Sequence, residues 1–193
     1  MAALIVAYPL FYTIVSLIRR DIRYPEARRQ HRFAVLFPAY KEDLIIEDSI
    51  RSFLCQEYHR ERFEIVVISD HMQNATNERL AQLPITLLKA SYDNSSKAKA
   101  LNLAVDSLPP AKYAAVIILD ADNIVYTNFL NDINNAINAV VMAIQPHRTA
   151  INQTTDTAIL VRFSEEVNYT IIRWGQLRLH ISSAPIGYGM AVD

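Results

Sequence analysis

Asp120 and Asp122 stand two positions apart at the end of an apolar run, Ala115 to Leu119, with only Ala121 between them. Two carboxylates this close repel, and one tends to take up a proton unless a cation is shared between them. Magnesium or manganese suits such a pair, because both prefer oxygen ligands and bind one or two carboxylates together with substrate phosphates. A metal bridging a diphosphate would stabilise the charge that develops when a nucleoside diphosphate leaves. Asp122, further from the strand, is the better direct ligand. Asp120, nearer the sheet, is placed to orient a ribose or a metal-bound water. On spacing alone the pair reads equally well as a solvated loop, because Asp-Asn sequences such as Asp122-Asn123 favour turns.

The elements that would position this pair can be read along the chain. "RFAVLFPAY" is a short apolar run with Pro38 near its end, followed by Lys41 and Glu42. "EDLIIEDSIRSFLCQEY" puts Ile46, Ile50, Phe53 and Leu54 on one helical face. "RFEIVVISD" is a second strand ending in Asp70, and "ITLLKA" a third. "KAKALNLAVDSL" is helical and stops at Pro109-Pro110, which cannot continue it. "YAAVIILDADN" is the fourth and most hydrophobic strand, and "VMAIQ" at Val141 to Gln145 a fifth. The stretch from Asp156 to His180 reads as one long helix, with a break at Gly175.

Continuous apolar strands separated by helices predict an α/β fold, a parallel sheet covered on both faces. Ligands bind such sheets beyond the carboxyl ends of the strands. Tyr40, Lys41, Glu42, Asp70, Asp120 and Asp122 all fall at such ends, so three separated segments are expected on one rim.

Composition removes several alternatives. The three glycines, Gly175, Gly187 and Gly189, all lie near the C-terminus. A P-loop or dinucleotide-binding turn after an early strand therefore cannot be built. Any bound nucleotide must be held through side chains and a metal. The five histidines show no helical ligand spacing, which argues against a histidine zinc site. Cys55 is the only cysteine; it excludes an internal disulfide and is expected to be a buried thiol. A net charge of -1 provides no overall field for nucleic acid.

Residues Ala2 to Ile18 are uncharged, and seventeen helical residues span about 25 Å against a hydrocarbon core of about 30 Å. Six arginines follow within fourteen residues, the flank expected on the cytoplasmic side of a membrane. The expected organisation is a transmembrane anchor over 1–19, a basic juxtamembrane linker over 20–31 and a catalytic-type domain over 32–193, at the cell membrane and facing the cytoplasm.

Five motifs in order then resemble family 2 glycosyltransferases: "FPAYKED" from Phe37, "VVISD" ending at Asp70, "KAKALN" from Lys97, "LDADN" from Leu119 and "SSAPIGYGMAVD" from Ser182. Each is weak alone, and together they cover nearly all of Arg32 to Asp193. The resemblance is to a membrane-associated enzyme of that family. It implies a GT-A (Rossmann-like), mostly parallel sheet and metal-dependent inverting transfer from a nucleoside-diphosphate sugar. A UDP-sugar is favoured, the acceptor being a glycan or lipid-linked.

By motif position, Pro38, Tyr40 and Glu42 would line the nucleoside and Asp70 would hydrogen-bond the base. Lys97 would lie near the diphosphate, and Asp120 and Asp122 would supply the ribose and Mg2+ or Mn2+ contacts. Gly187 and Gly189 would form a loop near the sugar, where missing side chains admit substrate. Lys41 departs from the asparagine common in the first motif. The general base of the family lies in an acidic motif beyond residue 193. The resemblance therefore implies the N-terminal portion of an enzyme, C-terminally truncated, expected to bind a nucleotide sugar and to transfer it poorly.

The competing reading is a catalytically inactive binding or membrane-docking fragment. A nucleotidyl transferase ranks behind both, because it lacks a glycine-rich phosphate loop. Trp174 and Tyr169 read as core or membrane-interface residues, and Arg162, Arg173 and Arg178 as a solvated helix face; His71, next to Asp70, is within reach of a base but reads rather as a surface histidine.

Overall fold

The computed structural model describes residues 2–17, 24–109, 111–147, 156–167, 169 and 189–192. The chain divides into two units, Met1–Arg23 with Pro146–Pro185 and Tyr24–Gln145 with Ile186–Asp193.

The larger unit is built on a six-stranded sheet. Its strands are β1 (Phe33–Tyr40), β2 (Phe63–Asp70), β3 (Thr86–Ala90), β4 (Ala115–Ile118), β5 (Ala143–Ile144) and β6 (Met190–Val192), in the order β3-β2-β1-β4-β6-β5. The first four pair in parallel, as expected. The rest makes the sheet mostly rather than wholly parallel, in keeping with the GT-A expectation, because β6 runs antiparallel to both β4 and β5. Three residues of the last motif thus become a strand wedged between the fourth and fifth. The expected fifth strand over Val141 to Gln145 shrinks to two residues.

Period-2 alternation divides the core. Phe33, Val35 and Phe37 of β1 and Phe63, Ile65 and Val67 of β2 face one layer, with α2 (Ile46–Leu54) and α5 (Phe129–Asn138). Leu36, Val66 and Ile68 face the other, where Ala100 and Ala104 of α4 (Lys97–Ser107) pack. In α2, Ile46, Ile50 and Phe53 are buried at helical spacing, as expected, and Leu54 packs at the margin. In α4 the two alanines one turn apart let the helix approach the sheet closely. Both faces are therefore covered, which explains why β1 and β2 read as unbroken apolar runs. The remaining helix of this unit is α3 (Asn74–Leu80).

Pro38 lies inside the central strand β1, where a missing N–H normally disrupts a ladder. Alternate residues of a strand address the same neighbour, so Pro38 faces β4 as Leu36 does. Leu36 O accepts from Leu119 N at 3.0 Å, and the β1–β4 register ends at Leu36↔Ile118. The absent donor of Pro38 therefore falls where the chain has already left the sheet for Asp120 and Asp122. The proline sits where the two strands diverge and a cleft opens.

The stretch before β1 is tied to α5. Asn134 Oδ1 accepts from His31 N at 2.9 Å, its amide donates to Arg29 O at 3.0 Å, and Asn135 Oδ1 accepts from Ala27 N at 2.9 Å. Tyr58, whose hydroxyl donates to His31 O at 2.8 Å, closes this cluster, and burial pushes its phenol well above the usual range.

In the smaller unit, α1 runs Ala2–Leu17 and α6 runs Asp156–Val167. Among the described residues no helix is long and apolar enough to cross a membrane, so the expected anchor over 1–19 has no support in the structure. The expected long helix from Asp156 is seen to Val167; Gly175, Trp174, Arg173 and Arg178 lie outside the described residues. Cys55 corrects another expectation. It is exposed, because it follows α2 at its C-terminal end, where Sγ donates to Arg51 O at 3.4 Å instead of entering the core.

Candidate functional site

The carboxyl ends of β1, β2 and β4 and the start of α4 enclose a cleft of about 640 Å³. Pro38, Tyr40, Glu42, Asp70, Lys97, Asp120 and Asp122, drawn from four separated segments, all line it.

β1 and β2 end in register, Tyr40 opposite Asp70. The next residue of each strand, Lys41 and His71, turns into the left-handed region at φ 56° and 55°. For residues other than glycine this conformation is uncommon, and it ends both strands abruptly at one level. Lys41 N donates to Asp70 O at 3.2 Å, which locks the two corners together. The Tyr40 ring, about half exposed at 49%, meets the His71 ring edge-to-face at 5.7 Å, and Lys41 Nζ lies 5.0 Å from the Tyr40 centroid. Tyr40 thus presents an aromatic surface to the cleft, fixed from two sides.

Asp70 is buried. Burial alone would push its carboxyl up, but interactions with Ser95, with His71 (including its charge when that ring is protonated) and with the Tyr92 backbone together hold it below the usual carboxylate range. The closest contact is with His71 Nδ1, 2.6 Å from Oδ1. Ser95 Oγ donates to Tyr92 O at 3.3 Å and lies 3.5 Å from His71 Nδ1, which brings the loop before α4 to the end of β2.

Ser96 caps α4, its Oγ accepting from Lys99 N at 3.3 Å. Lys97 is the first residue of the helix. Its Nζ is paired with Asp120 Oδ1, joining the start of α4 to the loop after β4. In that loop Leu119 and Ala121 are buried while Asp120 and Asp122 are more exposed, so the period of the strand persists for four residues beyond its end. Asn123 holds both aspartates. Its Oδ1 accepts from Asp120 N at 3.0 Å, and its Nδ2 donates to Asp122 Oδ1 at 3.1 Å. The turn reading of Asp-Asn is realised, and that turn presents the two carboxylates to the cleft.

Among the described residues no cluster of three or more His, Cys, Asp or Glu side chains could hold a metal. Two neighbouring carboxylates at the mouth of a cleft instead fit a hard divalent cation that completes its shell with water and substrate oxygens. Asp122, exposed and outermost, and Asp120 behind it would hold that cation.

Of the two candidate glycines, Gly187 lies outside the described residues. Gly189 immediately precedes β6 with φ 62°, accepts from Gln145 Nε2 at 3.0 Å, and is not among the residues lining the cleft. Sequence reasoning missed Ser95 and Asn123 and set His71 aside. The available signals were the Ser95-Ser96 pair ahead of a helix, an asparagine in the aspartate turn, and the adjacency of His71 to Asp70.

The family model described as Glycosyl transferase family 2 matches residues 34–189. No curated protein matches the chain in sequence. Among solved structures the fold is shared with a mannosyltransferase, PcManGT from Pyrobaculum calidifontis, in complex with GDP-Man and Mn2+. The TM-score is 0.70 at 21% identity, over 99% of this chain and 53% of that one. S. aureus TarS 1-349 in complex with UDP-GlcNAc aligns at TM-score 0.54 and 18% identity over 64% of this chain and 36% of its own. M. tuberculosis glucosyl-3-phosphoglycerate synthase aligns at 0.55 and 14%, over 84% and 57%. The chain thus spans about half the length of the first of these proteins or less than two thirds of the others, and at such identities the likeness is one of fold.

Proposed function

This chain belongs to glycosyl transferase family 2, and we propose that its cleft binds a nucleoside-diphosphate sugar with a divalent cation, as the donor site for inverting sugar transfer. The observation that carries this reading is the convergence of Tyr40, Asp70, Lys97, Asp120 and Asp122 on one cleft from four separated segments.

Each side chain has a task that its chemistry suits. Tyr40 offers a face on which a base can stack. Lys97, a compact positive charge, is placed for the diphosphate. Asp120 and Asp122 would hold Mg2+ or Mn2+, which supplies charge neutralisation to the departing nucleoside diphosphate. The fold relatives in complex with GDP-Man and Mn2+ and with UDP-GlcNAc support the ligand class and leave both nucleosides in play. None of the described cleft residues is assigned as general base.

The same reading extends to acceptor and place. A glycan or lipid-linked acceptor at a membrane, with this domain on the cytoplasmic side, is supported by the basic stretch after α1 and by the exposed Tyr8, Leu10, Phe11 and Ile14 on that helix.

Thermal unfolding with Mn2+ and UDP- or GDP-sugars tests the proposal. A ligand at a hundred times its Kd stabilises by about 2.7 kcal/mol, or roughly 5–11 °C for a chain of this size. That gain should require both metal and nucleotide. Absence of a metal-dependent shift with any nucleoside diphosphate would overturn it.

A further inference from the structure

The family resemblance gives recognition of the base to Asp70, but the structure places Asp70 poorly for direct contact. Its side chain is only 4% exposed, and Oδ1 is already engaged by His71 Nδ1 at 2.6 Å. His71 is different. It lines the cleft, its side chain is 36% exposed, and its ring stands against Tyr40. We propose that His71, through Nε2, recognises the base, and that Asp70 is a positioning residue behind it. This inference rests on the nucleotide-binding reading above.

The chemistry follows from the 2.6 Å contact between Asp70 Oδ1 and His71 Nδ1. A carboxylate only accepts, so Nδ1 must carry the hydrogen. An uncharged imidazole then presents a lone pair at Nε2. Among the described residues Nε2 has no hydrogen-bond partner, so that lone pair remains for a ligand. An acceptor here selects a base whose ring nitrogen carries hydrogen beside a carbonyl, N3–H of uracil or N1–H of guanine. Cytosine and adenine present a lone pair at the corresponding ring nitrogen, which would oppose Nε2. The left-handed backbone of His71, bonded across to Lys41 through Asp70 O, fixes the ring next to the Tyr40 face on which the same base would lie.

Calorimetry on the whole chain with Mn2+ tests this with matched ligands: UDP and N3-methyl-UDP, GDP and N1-methyl-GDP. For the nucleotide that wild type prefers, methylation should weaken binding about ten-fold, the upper range for one hydrogen bond. His71→Asn tolerates the left-handed backbone but has no atom at the Nε2 position. In that variant the methylation penalty should fall below about two-fold. His71→Gln, which carries an amide oxygen further out, should restore part of it. A ten-fold penalty that persists in His71→Asn would overturn the proposal, with nucleotide binding itself intact. Wild type that binds neither UDP nor GDP would overturn the nucleotide reading and this inference with it. For Asp70, imidazole 15N shifts should report Nδ1–H in wild type. Asp70→Asn should lose both that tautomer preference and the discrimination against methylated base; retention of both would remove Asp70 from the positioning role.

Discussion

Lys97 Nζ is paired with Asp120, although Lys97 opens α4 and Asp120 follows β4. A cation approaching the two aspartates therefore meets a carboxylate already shared with an ammonium group, and the diphosphate offers Lys97 a second anion to move to. Lys97→Met should tighten binding of Mn2+ alone and weaken binding of Mn2+ with UDP or GDP by roughly ten- to a hundred-fold, the range for a hydrogen bond to a charged group. Calorimetric titrations of metal alone and of metal with nucleotide separate the two effects. Parallel weakening of both would show that Lys97 does not compete with the cation.

Asp122 and Asn123 should separate metal binding from folding. Asp122 is exposed, so Asp122→Ala should leave unfolding free energy within about 0.5 kcal/mol of wild type while abolishing the metal-dependent thermal shift. Asn123→Ala removes both hydrogen bonds that hold the turn, and should cost about 1–2 kcal/mol and weaken Mn2+ binding as well. Urea denaturation and a Mn2+ titration of each variant check this. Undiminished Mn2+ affinity in Asn123→Ala would exclude Asn123 from presenting the aspartates.

Asp70 should contribute to acid sensitivity. Its folded pKa is lowered, so the native state binds its proton less readily than the unfolded chain. The stabilisation is complete above the unfolded value of about 3.9 and is lost as pH falls through the lower folded value. The stability difference between wild type and Asp70→Asn should therefore shrink between about pH 4 and pH 2, as followed by urea denaturation across that range. A difference independent of pH would contradict the hydrogen-bonded carboxylate described here.

The site depends on the sheet beneath it. Phe37 is fully buried in β1, edge-on to Phe53 of α2 at 5.8 Å. Phe37→Ala should destabilise by about 3–5 kcal/mol through lost burial and a residual cavity, measured by urea unfolding. A cost below about 1 kcal/mol would mean that the β1–α2 layer collapses around the gap.

Much of the site was legible in the chain because strand ends are local events. An apolar run closing in a polar residue marks where the sheet stops, and parallel connections bring all such ends to one rim. Tyr40, Asp70, Asp120 and Asp122 followed from that rule alone. Cys55 was misread because a cysteine beside a helical apolar face is usually buried, whereas its exposure depends on where α2 ends. The antiparallel β6 was missed because three residues carry no periodic signal, and their pairing with β4 is decided across more than seventy positions.

The sequence by itself determined the alternation of strands and helices, the two-faced burial of β1 and β2, and the list of polar residues at the rim. All three follow from side-chain periodicity and from the order of residues along one segment. Only the tertiary structure decided how those rim residues engage one another. Lys97 reaching Asp120, Ser95 approaching His71, and His71 standing between Asp70 and Tyr40 are contacts of side chains. All three join separate segments, and all depend on where loops land once the sheet has packed.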